Sequence, residues 1–136
     1  MRDGILFVVT EFPPGPGGIG NHAFNLASCI NKYSTIDVLA VTDYVDSSES
    51  NQFDSRQPFI IIRFKRYKTP IITYLIRIIE LIKRLNKYEY SHCLLSGRFS
   101  LWMALIIRYI CFDKRIKLIA ILHGSELQPK NRLFKF

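Results

Sequence analysis

The run Ile5-Leu6-Phe7-Val8-Val9-Thr10 constrains this chain most, because no polar residue interrupts it at alternate positions. A strand of that kind is apolar on both faces, so it belongs inside a sheet covered on both sides, and such sheets are mostly parallel. Parallel neighbours need crossover connections, which are usually helices. The rest of the chain supplies matching parts. Asn21 to Tyr33 sets Phe24, Leu26, Ala27 and Ile30 at helical spacing, with one inward face. Ile36 to Thr42, Phe59 to Phe64, Cys93 to Leu95 and Lys117 to Leu122 read as four further strands. Thr69-Pro70 offers an N-cap followed by proline in the first helical turn, and so predicts a long helix as far as Lys87.

In that long helix Thr73, Arg77, Glu80, Arg84 and Lys87 recur every three or four residues, which predicts a narrow polar stripe. Ile72, Leu75, Ile76, Ile79 and Ile82 occupy the rest of the circumference. The stretch from Phe99 to Phe112 is the most hydrophobic, yet Arg108 interrupts it, and it falls short of the roughly 20 apolar residues that cross a bilayer. It reads as a second buried helix. Asp43 to Gln57 is polar and acid-rich without apolar periodicity, which predicts an exposed, mobile loop. The expected order is β-α-β-β-α-β-α-β. With right-handed crossovers this is a Rossmann-like three-layer α/β/α domain with a mostly parallel sheet.

A length of 136 residues suits one domain with a real core, and 49% apolar content spread over separate runs argues against disorder. Cys29, Cys93 and Cys111 lie far apart with no C-x-x-C pair, so neither a zinc site nor a disulfide framework is indicated, and reduced core cysteines are expected. Met1-Arg2-Asp3-Gly4 leads into a short apolar run without a small-residue cleavage site, which predicts a cytosolic location. The formal net charge of +8 is concentrated. Between Arg56 and Lys87 stand nine Lys or Arg and one acid, Glu80, while the remainder is near neutral. Such a block favours phosphorylated ligands, anionic lipid or nucleic acid. No recognised nucleic-acid module frames it, although Tyr67 and Tyr74 interleave the charges.

Ligands of open parallel sheets gather at the carboxyl ends of strands, which directs attention to Thr10 to Gly20, Ser96 to Arg98, and His123 onward. The first loop ends in Gly17-Gly18-Ile19-Gly20-Asn21-His22. Its glycines permit close approach, and the helix that follows aims unpaired N–H groups at the loop, as a phosphate requires. The same glycines also serve a plain turn. The loop is neither G-x-G-x-x-G nor a P-loop.

Gly17-Gly18-Ile19-Gly20-Asn21-His22-Ala23-Phe24-Asn25-Leu26-Ala27 resembles the opening of family 4 retaining glycosyltransferases, where G-G-x-x-x-H precedes an apolar helix containing N-L-A. A hundred residues on, the strand Lys117 to Leu122 runs into His123-Gly124-Ser125-Glu126, similar to the family's H-G-x-D/E. The resemblance covers the chain but only the front part of the family. It implies the amino-terminal, acceptor-side half of a GT-B fold, with the donor-binding carboxyl-terminal domain and its E-x7-E signature missing. Where many members carry a histidine after the fourth strand, this chain has Ser96-Gly97-Arg98.

Carried over by position, the resemblance implies that the backbone at Gly17, Gly18 and Gly20 meets donor phosphate. His22, Ser96 and Arg98 would meet the acceptor, and His123 and Glu126 would serve the transfer itself. Two readings stay open for His22, which also suits a capping or surface role, and for Glu126, which also suits a cap. The implied whole enzyme moves a sugar from a nucleotide-sugar donor to a glycan or lipid-linked acceptor with retention, in surface polysaccharide or lipopolysaccharide synthesis. Neither metal nor cofactor is implied. The basic helix reads either as a solvated face or as a surface resting on the anionic inner face of the cell membrane. Alternatives are a non-catalytic acceptor-binding or membrane-docking subunit that requires a separate donor-binding chain, and a stand-alone nucleotide-binding regulator. Self-association through an uncovered cleft face is a further expectation.

Overall fold

A computed structural model of the chain describes residues 4–110 and 116–124. Five strands, β1 (Gly4–Val9), β2 (Ile36–Thr42), β3 (Ile60–Lys65), β4 (Tyr90–Ser96) and β5 (Lys117–Ile121), form one sheet in the order β3-β2-β1-β4-β5. Every pairing is parallel. Four helices connect them: α1 (Gly18–Ile30), α2 (Ser48–Ser55), α3 (Pro70–Lys87) and α4 (Arg98–Ile110). The result is the Rossmann-like three-layer α/β/α domain that the sequence predicts.

The unbroken apolar run of β1 explains the layering. Its side chains alternate across the sheet, and each face needs its own cover. Leu6 and Val8 join Leu81 and Leu85 of α3 and Met103 and Ile107 of α4 in one core. Phe7 and Val9 join Ala23 and Ala27 of α1 and the loop residue Phe12 in the other.

Three expectations change. The segment expected as a mobile loop contains α2, capped by Ser47, whose hydroxyl accepts from the Ser50 backbone N–H at 3.0 Å while the Ser50 hydroxyl takes the Ser47 N–H. A helix this short has no periodicity to read. It is held by one apolar anchor, Phe53, whose ring lies 5.4 Å from that of Phe24, and by the Asp54–Arg63 ion pair at 2.6 Å.

The second change is in α3. Arg77, placed in a polar stripe by sequence, is 1% exposed, whereas Ile71, Ile72, Leu75 and Ile79 lie outside at 45–70%. The inward line is Arg77, Leu81 and Leu85, four residues apart, so a helix with apolar residues nearly all round has turned its charge inward. The third change is in α4, where, among the described side chains, Ser100, Met103 and Ile107 are buried and Trp102, Leu105 and Tyr109 are exposed. Of the cysteines, Cys93 is buried as expected, Cys29 is exposed, and Cys111 lies outside the described residues. Among the described residues no helix is long and apolar enough to cross a membrane.

Candidate functional site at the carboxyl ends of β1, β4 and β5

The sheet order reverses direction between β1 and β4, since β2 and β3 lie on one side of β1 and β4 and β5 on the other. Crossovers leave such a point in opposite directions, which opens a crevice beyond the strand ends. The loops that follow β1, β4 and β5 all reach it.

The β4 end is shaped by Gly97, whose φ of +86° disfavours any side chain; a Cβ there would stand 2.0 Å from Thr10 Oγ1 at the end of β1. Two loops meet there without a side chain between them. Ser96, fully buried, projects its hydroxyl to His123 Nε2 at 2.8 Å. The His123 ring meets that of His22 edge to face, with centroids 5.3 Å apart. His22 comes from the second turn of α1, Ser96 from the last position of β4, and His123 from two residues past β5. Three residues separated by as much as a hundred positions thus form one cluster.

The glycine loop borders this cluster. Gly17 precedes α1 with φ +149° and ψ +145°, and no side chain caps the helix. Gly18 has open space where a Cβ would stand, and Gly20 is buried against the backbone of Phe12. The approach to the helix start is therefore clear at Gly18. Glu11 was not singled out by sequence reasoning, yet a Cβ at Gly17 would stand 2.7 Å from its Oε2. An acidic side chain at a helix N-terminus interacts favourably with the dipole and competes with any other anion.

Of the remaining predicted site residues, Arg98 opens α4 directly after Gly97, and Glu126 lies outside the described residues.

Behind the cluster runs a polar brace that the sequence did not suggest. Arg77 Nη2 donates to the Val9 carbonyl at 3.1 Å and to Ser100 Oγ at 2.7 Å, and the Ser100 hydroxyl donates to the Ser96 carbonyl at 2.6 Å. One guanidinium therefore ties the ends of β1 and β4 to α4. Burial lowers the Arg77 pKa to about 10, with Tyr74 and Cys93 acting in the opposite sense. It remains a cation at neutral pH.

Three of the nine cations in the basic block are taken up by such contacts. Arg63 pairs with Asp54, Arg77 forms the brace, and Arg84 pairs with Asp37 at 2.9 Å. Lys65, Arg66 and Lys68, around the exit of β3, are exposed.

A scan against protein-family models gives no match, and a search of curated proteins finds no similar sequence.

Proposed function

We propose that this chain is the acceptor-side domain of a retaining glycosyltransferase that uses a nucleotide-sugar donor, with the reaction centred on the His22–Ser96–His123 cluster. The observation that carries the reading is the meeting of those three side chains beside the uncapped start of α1. A sugar hydroxyl needs convergent polar partners at fixed positions, and the crevice supplies imidazole and hydroxyl groups from the start of α1 and the ends of β4 and β5. The resemblance of the Gly17–Ala27 and His123–Glu126 segments to family 4 glycosyltransferases gives the reaction class.

In this reading the bond between the anomeric carbon and the donor phosphate breaks, an acceptor hydroxyl oxygen takes its place on the same face of the sugar, and the nucleoside diphosphate leaves carrying the proton of that hydroxyl. His123, oriented by Ser96, hydrogen-bonds the transferred sugar. His22 faces the acceptor side of the same ring pair. The N–H groups at Gly18 and beyond meet donor phosphate, and Glu11 limits how strongly they do so. Most of the donor would be held by a second domain, so the sugar, the nucleotide and the acceptor belong to the whole assembly. Surface polysaccharide or lipopolysaccharide synthesis on the inner face of the cell membrane is the setting this reading favours.

Titrating uridine and guanosine diphosphate sugars by calorimetry, first into the chain alone and then with a carboxyl-terminal half of this fold supplied in trans, tests the reading. Binding and sugar transfer that need both halves, and that fall by about a hundredfold or more in His123→Ala, as losing a positioned catalytic group does, are the expected result. Tight donor binding by the chain alone would move the donor site here and overturn the division of labour. In the two-part assembly Glu11→Gln should tighten donor binding about two- to fivefold, which corresponds to removing a repulsion of about 0.3–1 kcal/mol at a helix terminus.

A further inference from the structure

The two helices that cover one face of the sheet turn apolar side chains outward. Leu81 and Leu85 of α3 and Met103 and Ile107 of α4 enter the same core, so both helices lie on the same side of the sheet. On α3, Ile72, Leu75 and Ile79 stand three and four residues apart, which sets them on one line opposite the inward line of Arg77, Leu81 and Leu85. They are 45–53% exposed. On α4, Trp102, Leu105 and Tyr109 repeat that spacing at 57–82%. A groove of about 350 Å³, lined by Trp102 together with Ile71 and Leu75, joins the two lines. One exposed leucine is ordinary, whereas a contiguous patch of this kind marks an interaction surface.

The charge around this patch has one sign. Lys83 continues the line of Ile72, Leu75 and Ile79 one turn further on, and Lys87 follows at the end of α3. Lys68 precedes the start of α3, and Arg108 stands beside Tyr109 on α4; all four cations are exposed. Glu80 is the only acid in the sequence of either helix, and it lies 3.7 Å from Lys83.

This combination selects the partner. Protein interfaces are depleted of lysine, and a second copy docked about a twofold axis would set a self-complementary patch of cations against itself. Anionic phospholipid accepts both parts, because cations meet the headgroups while aliphatic and tryptophan side chains enter the acyl boundary. The long stem of Lys83 lets its charge reach the headgroups from within the apolar line. Among the described residues no helix is long and apolar enough to cross a membrane, so the contact is with one leaflet.

We propose that the outer face of α3 and α4 docks on an anionic phospholipid bilayer, with its aliphatic and tryptophan side chains at the acyl boundary and Lys68, Lys83, Lys87 and Arg108 among the headgroups. The groove between the helices lies at their first turns, Pro70 to Leu75 and Trp102, which is the crevice end of the sheet. Docking therefore brings the crevice end of the domain near the headgroups. The inference does not rest on the glycosyltransferase reading, since no donor, sugar or histidine enters it.

The test is flotation of the full chain with vesicles of phosphatidylcholine alone and of phosphatidylcholine mixed in equal parts with phosphatidylglycerol. The mixed vesicles should bind the chain, and the neutral ones should bind it at least about tenfold more weakly. Trp102 is the single tryptophan, so its emission should shift to the blue on the mixed vesicles and be quenched by brominated acyl chains. Lys83→Gln should weaken binding about fivefold, and Leu75→Gln with Leu105→Gln together about tenfold or more. All three positions are exposed, so these variants keep the core intact. Tyr33→Ser, past the end of α1 on the other side of the sheet, should bind as the unaltered chain does.

Equal binding to both vesicles, or none to either, would overturn the proposal. Binding that leaves Trp102 unquenched, or that survives the double leucine variant unchanged, would reduce the contact to charge alone and overturn the apolar face. A dimer that buries Trp102, or shielding of Trp102 from vesicles by a carboxyl-terminal half supplied in trans, would assign the patch to a protein partner and overturn it as well.

Discussion

Helix α1 buries two alanines against the sheet, whereas α3, on the opposite face of the same sheet, buries an arginine and exposes four large aliphatic residues. The inner line of α1 is Gly20, Ala23 and Ala27, and its polar residues Asn21, His22 and Asn25 face water. That is the usual amphipathic solution, with small residues allowing the helix to sit close. The inner line of α3 is Arg77, Leu81 and Leu85. Here a charge goes inward because the end of β1 presents the Val9 carbonyl and α4 presents the Ser100 hydroxyl to receive it. Helix orientation in this domain is thus set on one side by apolar shape and on the other by polar complementarity.

The largest effect that would break this comparison lies within α3. Leu81→Ala removes a fully buried side chain and should cost about 2–5 kcal/mol in urea unfolding, including the cavity left behind. Leu75→Ala, on the face that an apolar-periodicity reading would bury, should change stability by no more than about 0.5 kcal/mol because Leu75 is 53% exposed. Similar costs at both positions would mean that the helix is turned the other way. On α1 the complementary change is Ala27→Leu, where added volume against Phe7 and Val38 should cost about 1–3 kcal/mol. Asn25→Ala, exposed on the same helix, should be near neutral.

The same contrast explains what could be read from the sequence. The five strands, the long helices and the parallel sheet were legible because an apolar run such as Ile5 to Val9 has one cheap environment, a buried strand. The crevice followed, since the glycine loop and His123 stand at strand ends wherever the strands lie. Hidden from sequence were contacts that no period encodes. Ser96 bonds to His123 only because β4 and β5 pair with Ser96 beside Ile121, and Gly97 matters because β1 and β4 are neighbours. The rotation of α3 was hidden for a different reason: with isoleucine or leucine at most non-polar positions, two orientations bury comparable apolar surface, and the burial of Arg77 depends on partners 68 and 23 residues away. Helix α2 escaped because Phe53 and Asp54 act through Phe24 and Arg63, outside the local pattern.

A smaller loss than those at Leu81 and Ala27 sharpens the comparison toward the carboxyl end of α3. Arg84 Nη1 reaches Asp37 Oδ2 at 2.9 Å, and the Tyr90 hydroxyl donates to the same oxygen at 2.6 Å, so polar contacts fasten this helix both at its middle and near its carboxyl end. Tyr90→Phe removes the bond to Asp37 and the longer one of 3.5 Å from Arg84 Nη1, which should cost about 1 kcal/mol at neutral pH. Burial, and then donation to Asp37, raise the Tyr90 pKa well above the ordinary tyrosine value, with Arg84 opposing. The folded chain therefore holds this proton more tightly than the unfolded chain does. The resulting stability is fully present below about pH 10, where an unfolded tyrosine begins to ionise, and is lost as pH rises toward the folded value. Urea unfolding at pH 8, 10 and 11 should show wild type losing stability faster than Tyr90→Phe, so that the gap between them narrows. The other tyrosines are common to both chains and cancel in that difference. A gap that stays constant across the range would detach Tyr90 from Asp37 and leave Arg84 alone to hold the end of α3.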